Sequence, residues 1–492
     1  MSPHAISSAT EREQASAQGL RRLATRPDWL DAALHAEQVL AALSRHIPEV
    51  ASGALRLVGL NEPRLFLKDT SGCWRGVYTL TVEGLPGAPV QVVPIRVRLT
   101  APGLPPPAGA EQPAVGPFGA EGWRCDLPEL RLSCEFEPPE QALEILPQLT
   151  DAEEARALLE HSIRACSPAY RDLRIRACRP EMLNYKPGSR CTLRYHLDYD
   201  AANAGRGWPT TVIAKVYRGH KGEQAYQGMA ALWRSPLVRS AAVRIAEPLA
   251  YVPDLKLLVQ APLAEEQTLE ALLRSALRAG TPAARARLER FVRTAAIGLA
   301  ELHLSGARAE ATTCWDERIE EIPELFERIA VVAPDTVDAI APLFDQLQEL
   351  AAAHPADPPA PSHGSFDSDQ VLIAEEEIGF IDFDSFCMAE PALDVGHFRA
   401  AIMDSGMQLI DEHTLRDRVA CRAYLQRLDA LGALFLAQYE SLAPISRRRL
   451  ALWEALDYLR DSLHIWTKPK PSGAEAVVRI LEYHLRAVGL PA

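Results

Sequence analysis

The sequence predicts an α+β fold in which a β-rich small lobe leads into a mostly helical large lobe, with an extra α+β domain in front of both. Three observations carry that reading. Between 175 and 262, short segments rich in β-branched residues (RIRAC, TLRYHLDYD, TTVIAKVYR, LKLLVQAPL) are punctuated by Gly and Pro, as strands are. From about Thr268 the segments TLEALLRSALRAG, ARLERFVRTAAIGLAELHL, DERIEEIPELFERIAVV and TVDAIAPLFDQLQELAAA place apolar residues at i, i+3 and i+4, the period of an amphipathic helix. Behind the proline-rich turn HPADPPAPS, VLI and IGFID read as two short strands at the junction, and helices return from ALDVGHFRAAIM onward.

The N-terminal part is taken in order. Residues 1–27 are polar. Leu30, Ala33, Leu34, Val39, Leu40 and Leu43 then recur with helical spacing, so a helix is expected over about 29–46. ALRLVGL, RLFLKD, WRGVYTLTVEG and VQVVPIRVRL are strand-like. The Pro- and Gly-rich stretch 101–122 reads as a long loop, LRLSCEFE as another strand, and LTDAEEARALLEHSIRAC as a helix behind a Thr–Asp cap. The expected boundaries are 1–165 for the N-terminal domain, 166–262 for the small lobe and 263–492 for the large lobe.

Two β-rich stretches follow a similar order. LKDTSGC at 67–73 precedes YKPGSRC at 185–191 by 118 positions, PIRVR faces IAKVYR across a one-residue gap, and LPELRLSCEF faces VPDLKLLVQA. These matches suggest that the N-terminal domain is a degenerate duplicate of the small lobe, with Arg96 standing where the second copy has Lys215. The competing explanation is that β-hairpins with similar turns resemble one another without any duplication.

Composition narrows the function classes. At 492 residues the chain exceeds a single ordinary core, since cores stop growing at roughly 250–300 residues. A net charge of −13 opposes broad attraction to phosphate backbones or anionic membranes, so neither nucleic acid nor membrane is an expected partner. The nine cysteines are odd in number, scattered and free of CxxC pairs, which reads as reduced thiols. The first thirty residues lack an apolar signal core and no stretch approaches the ~18 apolar residues of a membrane span, so a cytoplasmic location is expected.

The chemistry concentrates in HGSFDSDQVLI, 363–373, and the IDFDSF that follows it. A phosphate-transfer loop of the kinase type carries an Asp two residues after its His and a metal-binding Asn seven after. Counted from His363 these positions hold Ser365 and Gln370, while Asp382 matches the metal carboxylate at the end of the following strand and Asp384 is an extra acid beside it. EPALD, 390–394, completes the set.

With HGxxxxxQ, IDFD and EPALD in that order, residues from about 175 to 400 resemble the aminoglycoside phosphotransferase and related small-molecule kinase family. The resemblance implies the protein-kinase-like two-lobed fold. It implies ATP and Mg²⁺ as cofactors and a hydroxyl of a small molecule as acceptor. Three positions depart from the family pattern HGDxxxxN and DPAxD: Ser365, Gln370 and Glu390.

Physical chemistry accounts for the residue types. Mg²⁺ takes one or two carboxylates plus a neutral oxygen, which Asp382 and Gln370 supply. The resemblance assigns Lys215 in VIAKVYR to the nucleotide phosphates and Glu223, the sole acid between Lys215 and Glu247, as its partner. It also places a phosphate-covering turn at Gly188 and an adenine hinge near Val259 to Pro262, around Gln260. By the same resemblance His363 braces the loop and Asp394 anchors it.

Ser365 cannot act as a base unaided, because its hydroxyl does not ionise near neutral pH. Asp367 is then the expected substitute, reaching the acceptor directly or through water. The alternative is a catalytically silent kinase-like module that binds nucleotide or, through its N-terminal domain, a protein partner. Plainer readings stand beside each choice: an exposed strand lysine for Lys215, and a solvated face for the acidic helix at 315–329. A zinc site from Cys387 and His397 has no ligand spacing behind it.

Overall fold

The computed structural model describes residues 19–61, 64–84, 90–104, 123–136, 145–186, 190–203, 205–217 and 219–489. Gly188, the N-terminal stretch to residue 18 and the expected long loop beyond Leu104 lie outside them. The described residues form two compact units. One draws on Met1–Pro139, Asp316–Ala353 and Ala455–Ala492, the other on Glu140–Trp315 and His354–Glu454.

In the first unit, strands β1 (Arg56–Leu60), β2 (Arg64–Phe66), β3 (Cys73–Glu83), β4 (Val90–Thr100), β5 (Arg124–Leu127) and β6 (Leu132–Phe136) form one antiparallel sheet. Its order is β1-β3-β4-β6-β5, with β2 paired to β3. Period-two alternation sets its buried face: Tyr78, Leu80 and Val82 on β3 and Val93, Ile95, Val97 and Leu99 on β4 point inward, whereas Val77 and Val92 are exposed. The helix Ala36–His46 buries Val39, Ala42 and Leu43 and packs on β1 and β5. Trp74 fixes a second side of this core, its indole N–H donating to the Trp466 carbonyl at 2.7 Å.

After a short helix, Leu146–Thr150, the second unit runs into the helix Ala152–Cys166, capped as its sequence suggests: the Asp151 carboxylate accepts from the Glu153 and Glu154 N–H groups. Strands β7 (Ala177–Lys186), β8 (Arg190–Asp198) and β9 (Thr211–Val216) follow. After the helix Lys221–Trp233 come β10 (Arg244–Ile245), β11 (Pro248–Val252), β12 (Leu257–Gln260) and β13 (Gln267–Thr268). A five-stranded antiparallel sheet of order β7-β8-β9-β12-β11 results. The helix Ala152–Cys166 closes one of its faces, burying Leu159 and Ile163 against Tyr195, Val212 and Ala214.

Helices then dominate. Leu269–Ala279 starts behind a Thr268 cap and stops at Gly280, whose φ of +62° only glycine adopts freely, and Pro282–His303 starts behind Thr281. Strands β14 (Ala360–Ser362), β15 (Val371–Ala374), β16 (Glu377–Phe380) and β17 (Cys387–Ala389) bring the chain to the helix Pro391–Met407. A run of aromatic contacts, Phe380 to Phe366 to Phe398 to Phe435, ties the β15–β16 hairpin to this helix and to Arg418–Glu440. Ring pairs of this kind add about 0.5–1.5 kcal/mol each beyond their buried area, so the hairpin is set on a stiff support. The β-rich segment, the helical segment and the short strands between them occur in the expected order, and the fold is α+β. Among the described residues no helix is long and apolar enough to cross a membrane.

Candidate active site

The side chains of the site are delivered by strand ends, tight turns and helix termini of the second unit. β14 ends at Ser362 and the chain turns through His363 and Gly364. Gly364 has φ +83°, and a Cβ there would stand 2.0 Å from the Ser385 carbonyl oxygen, so a side chain would push the two loops apart.

Asp394 holds this turn in place. Fully buried in the first turn of the helix Pro391–Met407, it accepts from the His363 N–H at 2.6 Å, the Gly364 N–H at 2.8 Å and His303 Nε2 at 3.1 Å. The Tyr439 hydroxyl lies 2.7 Å from His303 Nδ1, and it donates when His303 carries its proton on Nε2. Burial on its own would raise the Asp394 pKa, but the His303 bond and charge and the loop bonds outweigh it and hold the carboxyl below its usual range. His363 is buried as well; burial pulls its pKa down and favours a neutral ring, with Nε2 2.9 Å from the Ile381 carbonyl.

The hairpin register brings the two halves of the sequence motif together. Val371 pairs with Phe380, and the Ile381 N–H donates to the Gln370 carbonyl at 3.1 Å, so Gln370 and Asp382 leave the hairpin at the same end. Asp382 sits at φ +71°, a left-handed conformation that is uncommon for a non-glycine residue and is enriched at functional sites.

Two contacts reach Asp382 and Asp384 from β9 and the residue following it. Lys215 Nζ lies 2.8 Å from Asp382 Oδ1, and the Tyr217 hydroxyl donates to Asp384 Oδ1 at 2.8 Å. Burial acts to raise the Asp382 pKa, yet the Lys215 ammonium lowers it below the ordinary value, helped by the charge of Arg190 at the start of β8. Asp384 goes the other way. Burial and the neighbouring Asp382 charge raise it, and the Tyr217 hydrogen bond offsets only part of that.

Other expected residues sit differently. Glu223 lies in the first turn of Lys221–Trp233, 3.9 Å from His220 rather than paired with Lys215, which has Asp382 instead. The short stretch of chain between them explains this: the helix starts only six residues after Lys215, before its acid can come back over the lysine. Gln260 is buried at the end of β12, opposite Ile213 and Pro248. Asp367 caps the turn Ser368–Gln370: its carboxylate bonds to the Ser368 N–H and hydroxyl, while Gln370 Oε1 accepts from the Asp367 N–H at 3.1 Å. Ser365 is half-buried in the same loop. Asp369 projects from the turn, its pKa pushed up to about 6 by partial burial and the charges of Asp367, Glu270 and Asp382.

Tyr217 and Arg190 were not singled out from sequence. Tyr217 could have been, because it stands two positions after Lys215 and shares its face of the strand. The donor chemistry suits a hard cation: the carboxylates of Asp382 and Asp384 and the amide oxygen of Gln370 are all oxygen ligands. Among the described residues no three His, Cys, Asp or Glu side chains converge into a ready-made metal cluster.

Residues 204–431 match the family model described as "Phosphotransferase enzyme family". Among solved structures the chain is similar to a glucosamine kinase in complex with glucosamine, ADP and inorganic phosphate, at 16% identity and TM-score 0.43, over 88% of this chain and 93% of that one. It is also similar to the choline kinase LicA from Streptococcus pneumoniae (12% identity, TM-score 0.40, 66% and 97% covered). The aminoglycoside phosphotransferase APH(3'')-Id from Streptomyces rimosus gives 14% identity and TM-score 0.35, with 58% and 92% covered. The comparison with curated proteins gave no match.

Proposed function

We propose that the chain, whose residues 204–431 match the phosphotransferase family model, moves the γ-phosphoryl group of ATP to a hydroxyl of a small molecule of the aminoglycoside, sugar or amino-alcohol type. The observation that carries the reading is the contact of Lys215 with Asp382, formed where the β15–β16 hairpin also releases Gln370. In this reading Lys215 leaves Asp382 for the nucleotide phosphates. Asp382, Gln370 and Asp384 would hold Mg²⁺, which when bound neutralises charge between phosphate oxygens. Gln260, at the end of β12, belongs to the adenine hinge.

Phosphoryl transfer depends mostly on positioning and electrostatics, so a loop without its usual carboxylate can still support a slow reaction. Asp367 is the proposed base. It must give up its cap on Ser368 to serve, and freeing it would loosen the Gln370 side chain as well, because the two form one capping box. That lock favours a second reading in which the module binds nucleotide without turnover and acts through a protein partner.

Thermal shift with ATP and a non-hydrolysable analogue, with and without Mg²⁺, tests both. The expected result is a Mg²⁺-dependent rise in Tm that Asp382→Ala abolishes and Lys215→Ala reduces. Turnover on a panel of sugars, amino alcohols and aminoglycosides then separates the readings, since binding without turnover selects the silent module. No shift with any nucleotide would overturn both.

A further inference from the structure

We infer that the sheet of the first unit is a second, degenerate copy of the nucleotide lobe formed by β7 to β12, with its phosphate-binding corner closed by an internal Arg98–Glu135 ion pair, so that the chain takes one nucleotide rather than two. The nucleotide part rests on the proposed function. The duplication does not.

Strand order comes first. β1-β3-β4-β6-β5 and β7-β8-β9-β12-β11 are the same antiparallel arrangement, with β2 and the segment carrying the helix Lys221–Trp233 and β10 as insertions peculiar to one copy each. In both, a helix preceding the first strand packs on the first and the edge strand: Ala36–His46 on β1 and β5, Ala152–Cys166 on β7 and β11. The strand before the last hydrogen-bonded pair ends in a 3₁₀ turn, Pro128–Leu130 or Pro253–Leu255, followed by a left-handed residue, Arg131 at φ 55° or Lys256 at φ 50°. A left-handed residue after such a turn is a common way to close a short hairpin, so the weight falls on its recurrence at the same place in two sheets of the same strand order.

A buried hydrogen bond recurs too. Tyr78 on β3 donates to the Ala33 carbonyl at 2.7 Å, and Tyr195 on β8 to the Leu149 carbonyl at 2.8 Å. Each acceptor lies three residues before the first residue of its packing helix, Ala36 or Ala152, and both tyrosine side chains are fully buried. The ladders agree with this match: Tyr78 pairs with Ile95 where Tyr195 pairs with Val212.

The same register fixes which residue replaces the lysine. Lys215 is opposite Leu258, two positions after the left-handed Lys256, and Arg98 is opposite Ser133, two after Arg131. Arg98, not Arg96, is therefore the counterpart; Arg96 lies two residues earlier on the same face, opposite Val77. The sequence match misplaced it because local similarity aligned PIRVR with a gap, whereas hydrogen-bond pairing sets the true register.

By the same count Glu135 takes the place of Gln260. Arg98 and Glu135 lie 3.7 Å apart, with side chains 19% and 15% exposed, so the cation that in β9 points out of the sheet to Asp382 is here matched within the sheet. A phosphate would have to displace that carboxylate to use Arg98.

Calorimetric titration of the full chain with Mg²⁺ and a non-hydrolysable ATP analogue reads the consequence. The expected result is one equivalent in the wild type and in Arg98→Gln, bound more weakly in Lys215→Ala. A second equivalent, or binding that survives Lys215→Ala and disappears in Arg98→Gln, would overturn the closed corner. An experimental structure reads the duplication even if nothing binds: superposing Ala36–His46, β3, β4 and β6 on Ala152–Cys166, β8, β9 and β12 should bring the Arg98 Cα onto that of Lys215. A displacement of one strand residue, about 3.3 Å, or more would refute it.

Discussion

Tyr217 donates its hydroxyl to Asp384 at 2.8 Å, beside the 2.8 Å contact of Lys215 with Asp382, so two adjacent bonds fasten the end of β9 to the turn at 382–384. The pair explains how two neighbouring carboxylates coexist: one is neutralised by an ammonium, the other is held by a neutral donor. Removing the Tyr217 hydroxyl leaves Asp384 buried beside Asp382 without that donor. Hydrogen bonds to charged groups contribute about 1.5–3 kcal/mol, so Tyr217→Phe should destabilise the nucleotide-free protein by roughly that amount. Urea unfolding would show it, and an unchanged midpoint would mean that the bond contributes nothing to stability.

Asp394 is the acceptor for two loop N–H groups and for His303, none of which can reach water. Asp394→Ala should cost about 3–5 kcal/mol, the usual range for breaking a buried charged network. Tyr439→Phe removes only the outer bond to His303 and should cost about 1 kcal/mol. Because folded Asp394 titrates below its unfolded value, its contribution is present above the unfolded pKa and is lost as pH falls through the folded one. In Asp394→Ala the acid limb of the stability curve should be shallower than in the wild type, as followed by circular dichroism. A parallel acid limb would sink the assignment.

Much of this was legible in the sequence because it is local. Strand period, helical stripes and the caps at Asp151, Thr268 and Thr281 depend on neighbours within a few residues, and the structure places those elements in the expected order. His363 and Asp382 were legible as one locus, since only a short hairpin separates them. The partners were not. His303 is 91 residues from Asp394 and Tyr439 is 136 from His303, and no local pattern links such positions. Glu223 was chosen as the nearest acid in sequence, whereas the ammonium found Asp382, 167 residues away. The capping role of Asp367 was hidden for a different reason: Asp-x-x-Gln is a capping box as well as part of a phosphate-transfer loop, and the same four residues satisfy both patterns.

Asp369 gives a pH dependence of opposite sign. Its folded pKa is raised to about 6 from the ordinary value of 3.8, so the folded state holds a proton that the unfolded chain has released. That contribution is full below the unfolded value and is lost as pH rises through the folded one, between about 4 and 6. Its exposure means solvent screens the effect. Asp369→Asn should accordingly flatten the stability profile between pH 4 and 6. A thermal-melt series across that window would decide it, with an unaltered slope counting against the electrostatic cluster.

Ser365 is half-buried in a loop whose backbone is set by its neighbours. The loop around it is braced by the Asp394 bonds to His363 and Gly364, immediately before the serine, so its backbone is fixed independently of the side chain at 365. A carboxylate introduced there would enter a prepared position rather than have to build one. It would also spare Asp367, which could remain in its capping box with Gln370. General-base catalysis contributes about 10²–10⁴-fold, so if Ser365 is the cause of slow turnover, Ser365→Asp should raise kcat by a factor in that range with little change in KM for the nucleotide. The reverse test is Asp367→Asn: in the wild type it should lower kcat if Asp367 has taken over as base, and in the Ser365→Asp background it should leave kcat nearly unchanged. Steady-state kinetics on the four proteins resolves the cycle. A Ser365→Asp protein that binds nucleotide and still turns over no acceptor would show that the missing carboxylate is not what limits this site.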